Sequence, residues 1–408
     1  MSAVNVNQFD DWLRDDSDVA ALVLRQWLEP VEGKDAVIFP PTYAKPERMR
    51  DEDWTGYNID RFEDGSSVCQ IDSVGSQANR MEPIFKRERL EPIFKRARLE
   101  YKDLVPQIVI SVKTKNSGED VGKQVHLLEA GHRAGDAIAR FAGKIDGDGE
   151  GKALGELLWD AFKAWQESGD AEPLARIAPT SFVFGAWDSR ATQAKVPRVV
   201  RSVIRAYGVK KLTRSAQFNT PLHYVDEGLI DEALDKGEGE KNPLSQEGFR
   251  HSPAAGAHGG IQVIGEIRRE VSLNLVALRS LGVKPKTDEK SEQTTERTMQ
   301  LRRYVLGLAL VAVTHRDDQM FNLREGCLLR IAKSSSWRAV PFEGEGKEIA
   351  ISPTDALEFA NSAAKCFDVQ RFDKPFVFDN KKAEQWLKLK KEDRDKRRRM
   401  GPVVTQNL

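Results

Sequence analysis

The chain has 408 residues, 40% of them apolar and 31% charged, and its 63 basic side chains equal its 63 acidic ones in number. A formal net charge of zero excludes the overall basic balance typical of nucleic-acid-binding proteins, so such a function would need charge that is segregated along the chain. The three cysteines, Cys69, Cys327 and Cys366, contain no CxxC pair, which argues against a disulfide framework or a structural zinc site and predicts a reducing, cytoplasmic location.

The first 30 residues predict an acidic amphipathic helix, because apolar residues recur near helical spacing with aspartates between them. Beyond them, strands and helices interleave without a strict β–α–β alternation, so an α+β fold is expected. Strands are predicted at 36–39, 66–72, 107–113, 181–184, 262–267, 327–331 and 337–342. Helices are predicted after residue 72, around 130–142, and at 154–165, 304–314 and 353–366, with a basic helix or tail at 381–408.

Two further segments of the chain stand out by composition. The polar, nearly aromatic-free segment 283–298 predicts a surface linker. The apolar run 304–314 is well short of the roughly 20 residues that span a bilayer, so it predicts a buried helix and no membrane segment.

A tandem repeat follows the second predicted strand. The nonapeptide EPIFKRERL at 82–90 is followed at once by EPIFKRARL at 91–99. The duplication lengthens one basic segment, which carries Lys86 and Arg87 and their copies Lys95 and Arg96. The proline of the second copy is expected to break any continuous helix there.

The segment 189–225 contains no acidic residue. Its basic residues are Arg190, Lys195, Arg198, Arg201, Arg205, Lys210, Lys211 and Arg214. The spacing predicts a helix with valines on one face and Arg198, Arg201 and Arg205 on the other. Like charges on one helix face repel one another, and a bound phosphate would relieve that repulsion. The alternative is that the arginines are solvated or paired with carboxylates elsewhere in the fold. The acid-free surroundings favour a polyanion as partner.

No complete catalytic motif is present. The chain has no P-loop, no GxSxG elbow and no HExxH pair, and its six histidines are scattered. Four positions of a calcium loop are matched by Asp146, Asp148, Glu150 and Gly151. The position of the bidentate carboxylate is Leu157, which argues against calcium, and no metal or other cofactor is expected.

Asp72 and Asp188 each follow an apolar, strand-like run and leave a metal-dependent nuclease open as an alternative. Two carboxylates of unknown separation are weak evidence for catalysis, because aspartates more often have capping roles.

Several phrases together resemble a known family: DSVGSQANRMEPIF, LLEAGHRAGDAIARF, APTSFVFGAWDSRATQAKVPRVVRSVIRA, LTRSAQF and LRRYVLGLALVAVT. From about Phe39 to Ile331 the chain resembles the backbone subunit of type I-G (formerly I-U) CRISPR effector (Cascade) complexes, in the RAMP superfamily. The resemblance implies an RRM-like (ferredoxin-like) palm with large insertions, one of them a thumb. The duplicated nonapeptide and the basic C-terminal tail depart from the family pattern.

The expected organisation combines the resemblance with the sequence pattern. Residues 1–282 would form an RRM-like core with an inserted thumb and helical segments, 283–298 the linker, 299–380 the C-terminal part of the core and 381–408 a basic tail. The implied function is a non-catalytic ribonucleoprotein subunit in antiviral defence that coats the guide RNA. The implied partners are the guide RNA, the target DNA strand through guide pairing, further copies of the chain and other effector subunits, with no membrane.

Guide coating must be independent of sequence, so phosphate contacts from basic and amide side chains are expected. The expected RNA-binding residues are Gln77, Asn79, Arg80, Lys86, Arg87, Arg133, Arg190, Lys195, Arg198, Arg201, Arg205, Lys210, Lys211 and Arg214. For Arg133 an ion pair with Asp136 is the alternative, and for Gln77 and Asn79 hydrogen bonding within a turn. For the chain as a whole, the alternatives are a metal-dependent ribonuclease of the same superfamily and a protein-only scaffold.

Overall fold

The computed structural model describes residues 7–50, 54, 56–86, 99–113, 123–145, 151–214, 216–237, 241–254, 258–315 and 321–406. These residues form an α+β fold, as the sequence predicts, in which the main antiparallel sheet curls into a half-barrel. Arg87, the second nonapeptide copy up to Arg98, and the acidic positions of the calcium-loop pattern lie outside the described residues.

The strands are β1 (Val19–Pro30), β2 (Val37–Ile38), β3 (Ile59–Arg61), β4 (Ser67–Asp72), β5 (Val109–Val112), β6 (Lys123–His126), β7 (Ala142–Ile145), β8 (Ala186–Trp187), β9 (Lys195–Val196), β10 (Val200–Tyr207), β11 (Val209–Thr213), β12 (Ala216–Phe218), β13 (Ser252–Ala254), β14 (His258–Val263), β15 (Ile267–Asn274), β16 (Asn322–Arg324), β17 (Cys327–Ser334), β18 (Trp337–Pro341), β19 (Lys347–Ile349) and β20 (Phe376–Phe378).

The α-helices are α1 (Asp10–Leu13), α2 (Val74–Met81), α3 (Ala137–Arg140), α4 (Leu154–Ser168), α5 (Glu172–Ile177), α6 (Thr180–Phe184), α7 (Pro243–Gln246), α8 (Leu275–Arg279), α9 (Ser291–Thr314), α10 (Pro353–Phe367), α11 (Asn380–Lys388) and α12 (Lys391–Met400). Short 3₁₀ helices lie at Glu82–Phe85, Leu99–Leu104, Leu127–Glu129, Arg133–Gly135, Glu232–Leu234 and Val403–Thr405.

Nine strands form the main sheet, in the order β16-β17-β1-β15-β10-β4-β3, with β18 also on β1 and β19 on β18. Every pairing in this sheet is antiparallel. The 12-residue β1 pairs with β15 along one edge, whereas β17 and β18 share its other edge. Strand β1, near the beginning of the chain, is therefore a central strand that pairs with β15, β17 and β18 from the second half of the chain.

One face of this sheet is buried against helices. Even-numbered residues of β1, such as Leu22 and Leu24, are buried, as are Val271 and Leu273 of β15. The apolar half of α9 is fully buried and packs closely against α10. At Gly307 a Cβ atom would lie 2.8 Å from the Ala360 Cα, so only glycine permits this helix approach. The predicted buried helix at 304–314 is thus confirmed as part of α9.

Smaller sheets surround this centre. Strands β11, β14 and β2 form a three-stranded sheet, β12 pairs with β13, and β8 pairs with β9. Strands β6, β5, β20 and β7 form a four-stranded sheet in which β20 runs parallel to β5. Near it, Phe141, Trp386 and Val403 form a small apolar cluster that attaches the C-terminal segment. Of the helices that the structure describes, none is both long enough and apolar enough to cross a membrane.

The N-terminal prediction was wrong. The helix there is limited to α1, and residues 19–30 form β1, in which burial alternates with a period of two. Leu22, Val23 and Trp27 fit a helical spacing, but burial follows the strand period, and pairing with β15 and β17 decides for a strand. The predicted strand at 181–184 was also wrong, because Thr180–Phe184 form α6 with every side chain buried.

Two other boundaries differ from the predictions. The predicted strand at 262–267 contains the turn between β14 and β15, where Ile264 and Gly265 hydrogen bond back to the 207–208 backbone. The last eight residues of the predicted linker, from Ser291 onward, are the first turns of α9. The division of the chain into a core, a linker and a tail stays a prediction. The predicted strands at 66–72, 107–113, 327–331 and 337–342 and the helices at 154–165 and 353–366 are confirmed.

Candidate nucleic-acid interface

The predicted RNA-binding residues of α2 take part in a buried hydrogen-bond network. Ser73 caps the helix by accepting the Ser76 N–H, and Gln77 donates from Nε2 to the Asp72 carboxylate at 2.7 Å. Arg80 donates from Nε to the same carboxylate at 3.1 Å and from both Nη atoms to the backbone carbonyls of residues 322 and 323. Asp72 is buried, and these hydrogen bonds stabilise its negative charge, because burial of an unpaired carboxylate would cost free energy.

The network continues through the sheet. The Ser202 hydroxyl donates to Gln77 Oε1 at 2.9 Å, and Arg269 donates from Nε to that hydroxyl at 2.9 Å. Arg269 also donates to Gln26 Oε1 at 2.9 Å and contacts the Met81 sulfur. Burial lowers the pKa of Arg269 to about 10. A continuous polar chain therefore joins α2 to β1, β10 and β15 on the buried side of the sheet.

Arg133 is buried in a different ion pair from the one considered. Its Nε lies 2.7 Å from Glu82 Oε2, and its guanidinium lies over the Phe184 ring. Its Nη atoms donate to the Gly185 carbonyl at 3.2 Å and to Asn79 Oδ1 at 3.4 Å. Burial raises the pKa of Glu82 to about 7, against the lowering effect of Arg133. The guanidinium of Arg133 is thus engaged within the fold.

Lys86 lies at the end of the first nonapeptide copy. Its Nζ forms an ion pair with Glu129 at 2.5 Å, and its side chain is only 11% exposed. The copy is anchored by Ile84 and Phe85, both of which are buried. This packing explains the apolar part of the motif.

The segment predicted as a basic helix forms β9 and β10, separated by residues 197–199. Strand pairing on both sides explains the difference, because β10 hydrogen bonds with β4 on one edge and β15 on the other. Val200 and Val203 lie instead on a central strand, whereas Val196 belongs to β9. Arg201 and Arg205 still share a face, since residues four apart point to the same side of a strand.

The hairpin of β8 and β9 presents the first basic residues of this segment. Trp187 is 53% exposed, and Lys195 lies with its Nζ 5.4 Å from the centroid of the indole ring. Asp188 closes the turn by accepting hydrogen bonds from the Thr192 N–H and hydroxyl, each at 2.8 Å. Arg190 projects from this turn and is exposed. An aromatic ring and two cations therefore lie on one short hairpin.

Arg198 and Arg201 link this hairpin to the main sheet. Burial lowers the pKa of Arg198, and the positive charges of Arg133 and Arg201 lower it further, so the three guanidinium groups lie near one another. Neither Arg198 nor Arg201 has a carboxylate partner among the residues with described positions. Their repulsion is not neutralised within the described fold, which is the arrangement expected of an anion site.

The unburied side of the main sheet carries a set of polar side chains that we call the open sheet face. Cross-strand pairing places them together, because directly opposite residues point to the same side. The set comprises Arg25, Trp27, Arg201, Arg205, Tyr207, Arg268, Glu270, Lys333 and Arg338. Cations outnumber carboxylates within this set, although the chain as a whole is neutral.

Glu270 is the acidic member at the centre of the open sheet face. Its Oε2 lies 3.2 Å from Arg205 Nη1 and accepts a 3.4 Å hydrogen bond from the Tyr207 hydroxyl, and its Oε1 lies 3.7 Å from Arg25. One carboxylate thus orients two arginines without neutralising both. Arg205, a predicted RNA-binding residue, is partly engaged in this way.

Two aromatic rings on the open sheet face each lie beside a cation. Lys333 Nζ lies 5.2 Å from the Trp27 ring centroid, and the Arg268 guanidinium lies 3.9 Å from that of Tyr207. Glu266 accepts a 2.6 Å hydrogen bond from Trp27 Nε1 and forms a 3.1 Å ion pair with Arg268. Aromatic faces flanked by cations suit the stacked bases and phosphates of a single strand.

Sequence reasoning missed most of the open sheet face. Arg25 and Trp27 were assigned to an acidic helix, and Arg268, Lys333 and Arg338 were not singled out. Residues 22–28, LVLRQWL, do not alternate between polar and apolar types, so the local pattern does not identify the first two. The other three become neighbours only through strand pairing.

The remaining basic candidates lie away from this face. Lys210 and Lys211 belong to β11 in the three-stranded sheet, and Arg214 is exposed just beyond it. They are at the beginning of the excursion that runs from β11 to β14 and returns to β15.

The two aspartates considered for nuclease chemistry have structural hydrogen bonds. Asp72 is bonded by Gln77 and Arg80, and Asp188 by Thr192. Within the described part of the chain, no group of three or more histidine, cysteine, aspartate or glutamate side chains is arranged to hold a metal ion.

Comparison with known families gives one match. Residues 22–211 match the family described as CRISPR-associated protein GSU0053. The matched segment is slightly less than half of the chain and runs from β1 to Lys211 in β11. It includes Arg25, Trp27 and the β8–β9 hairpin, and it supports a CRISPR-associated family and a role in CRISPR defence. A search of curated proteins found no match.

Proposed function

We propose that the chain is a non-catalytic, guide-RNA-binding backbone subunit of a type I-G CRISPR effector complex. The open sheet face is the observation that carries this proposal, because it combines cations, aromatic rings and a rigid antiparallel scaffold. The similarity of residues 22–211 to a CRISPR-associated family supports a role in CRISPR defence. In this role the cations hold phosphates, and the bases remain free to pair with a target DNA strand.

The strand order supports an RRM-like palm. Such a palm has four antiparallel strands in the order 4-1-3-2, and β17, β1, β15 and β10 follow that order. The excursion between β10 and β15, which contains β11 to β14, occupies the position between the second and third palm strands. We assign this excursion as the thumb.

Guide coating requires contacts that do not depend on the base sequence. A backbone subunit must accept any spacer sequence, so its contacts are expected to be phosphate ion pairs and base stacking. The open sheet face offers both. A neutral chain with a basic face must carry acidic surfaces elsewhere, and these suit packing between successive copies and other effector subunits along one RNA.

The decisive experiment measures RNA affinity against salt concentration for the wild type and for Arg201→Thr/Lys333→Thr. Both residues are exposed on the open sheet face, and threonine suits strand positions better than alanine. Each lost phosphate contact on a single strand lowers the slope of log K against log salt by about 0.7, so a fall of about 1.4 is expected. The effect should be equal for unrelated RNA sequences.

The matched control is Lys123→Thr/Lys284→Thr, which removes the same charge from exposed positions outside the main sheet. Its slope should stay at the wild-type value. If the slope fell equally in both variants, the effect would come from the overall charge of the protein. If the slope stayed unchanged in both, the open sheet face would not be the RNA-binding site. An RNA-binding failure of the wild type would favour a protein-only scaffold instead.

A further inference from the structure

The basic C-terminal helix α12 lies outside the segment that matches the CRISPR-associated family. It is held to the fold by the cluster of Phe141, Trp386 and Val403 and by Gln406, whose Nε2 donates to the Arg397 carbonyl at 2.8 Å. The C-terminal segment therefore has a defined position, in which Pro402, just after the end of α12, shares a recess with Arg140 of α3 and with the turn of the β8–β9 hairpin.

Arginines from three elements converge at this junction. Arg140 of α3 lines one small recess together with Asp188, Ala191 and Pro402, so the hairpin turn and the C-terminal segment meet at its side chain. Burial lowers the pKa of Arg140, the charges of Arg398 and Arg190 lower it further, and Asp188 and Asp136 raise it. On α12, residues 394 and 398 lie one turn apart and share a face.

These arginines hold donors that the described fold does not use. The Nε atoms of Arg140, Arg394 and Arg398 are all buried and have no acceptor among the residues that the structure describes. The groups around them are only partly engaged: Arg140 Nη2 donates to the Gly135 carbonyl at 3.2 Å, and Arg394 Nη1 to the Leu387 carbonyl at 3.4 Å. A buried N–H without an acceptor destabilises the fold, and an anionic oxygen bound at this junction would satisfy it.

The nearby carboxylates do not remove the need for an anion. Asp188 lines the same recess as Arg140, but its Oδ2 already accepts two hydrogen bonds from Thr192. Asp136 accepts from the backbone N–H groups of residues 132 and 138. Arg398 has an ion pair with Asp395 at 2.6 Å, which leaves its Nε free. The junction thus has more positive charge and more donors than its own residues satisfy.

We propose that Arg140, Arg394 and Arg398, with Arg190 at the rim, form a phosphate-binding site for the sugar-phosphate backbone of single-stranded RNA. This inference rests on the proposed RNA-binding function and extends it to the C-terminal helix. Arg190 belongs to the hairpin that also carries Trp187 and Lys195. The site therefore continues the basic surface from the open sheet face across the hairpin to α12.

The test compares two charge-matched double variants of the same helix in the full-length protein. Arg394→Ala/Arg398→Ala removes the arginines with unused donors, whereas Lys391→Ala/Lys396→Ala removes two exposed lysines. The arginine variant should lower the salt slope of RNA binding by about 1.4, the value for two phosphate contacts on a single strand. The lysine variant should leave the slope at the wild-type value.

The conservative variant Arg394→Lys/Arg398→Lys separates recognition from folding, because it keeps both charges and removes the Nε donors. It should bind RNA more weakly than the wild type while unfolding at the same temperature. Equal slopes for the arginine and lysine double variants, with wild-type binding intact, would overturn this site and leave the proposed function standing. A wild type that binds no RNA would overturn both.

Inorganic phosphate serves as the second probe. Phosphate should raise the unfolding temperature of the wild type more than that of Arg394→Ala/Arg398→Ala. If phosphate stabilises the wild type but both double variants bind RNA as the wild type does, the site holds free phosphate and the assignment to the RNA backbone is wrong.

Discussion

Arg80 donates from Nε to the buried carboxylate of Asp72 at 3.1 Å, and this contact joins a predicted RNA-binding residue to a candidate nuclease aspartate. The two Nη groups of Arg80 bind backbone carbonyls of residues 322 and 323 at the beginning of β16. The pair therefore connects the segment after β4 to a strand about 250 residues later, and it supports a structural role for both side chains.

Replacing Arg80 should affect stability more than RNA binding. Arg80→Ala leaves the Asp72 carboxylate buried with Gln77 as its remaining side-chain donor, which should lower the free energy of unfolding by about 2–4 kcal/mol. Arg201→Thr, at an exposed position, should change it by less than about 1 kcal/mol and weaken RNA binding instead. Denaturant unfolding and the salt slope, measured on both variants, check this contrast. A lowered slope in a fully stable Arg80→Ala would return Arg80 to the RNA interface.

The ion pair of Arg133 and Glu82 leads to a second prediction. Arg133→Ala should destabilise the fold by about 3–5 kcal/mol, because it leaves a buried glutamate without its cation. Arg133→Met/Glu82→Leu should recover part of that loss, since no unpaired charge remains. A double-mutant cycle from urea unfolding measures the coupling between the two side chains. Additive losses would show that the pair is not a stability element.

Trp27 tests the aromatic part of the open sheet face. Trp27→Ala should weaken single-stranded RNA binding by about 1–3 kcal/mol, the range for loss of one stacked base, without lowering the salt slope. Trp27→Phe keeps a π-face but loses the hydrogen bond to Glu266, so it should retain most of the affinity. Fluorescence titration with unrelated RNA sequences gives both quantities. Equal weakening by alanine and phenylalanine would point to the indole N–H rather than to stacking.

His126 makes stability dependent on pH. Burial, followed by the charge of Lys86, lowers the pKa of His126 to about 4, from 6.5 for the ordinary side chain. Between these values the unfolded chain binds a proton that the folded chain does not, so stability falls as pH falls from 6.5 towards 4. The neutral ring accepts the Leu128 N–H at Nδ1, and its Nε2 lies 3.1 Å from Gln107 Oε1.

The matching variant is His126→Asn, which keeps a side-chain acceptor for the Leu128 N–H. Its free energy of unfolding should lose roughly 2–3 kcal/mol less than the wild type between pH 7 and pH 4. Urea unfolding of both proteins across this range measures the difference. Parallel pH profiles would show that the wild-type histidine is protonated as readily in the folded state as in the unfolded one.

Local sequence determined several parts of this fold. The capping serine at 73 and the polar–apolar spacing after it specify α2, and Ser352 with Asp355 specifies the beginning of α10 through a capping box. The run at 304–314 consists almost entirely of apolar side chains, so any packing of this helix is expected to bury it. For the two helix beginnings the deciding interactions lie within a few residues, so the sequence alone contains them.

The tertiary structure decided the open sheet face and the junction at α12. Residues 200–204 fit a helical face as well as a strand, and their pairing with β15 on one side and the pairing of β10 with β4 on the other decide for a strand. Arg268 stacks on Tyr207 across two strands, and Lys333 meets Trp27 over some 300 residues of chain. The positive charge of the open sheet face arises where folding brings Arg25, Arg268 and Lys333 together with Arg201 and Arg205 of the acid-free segment.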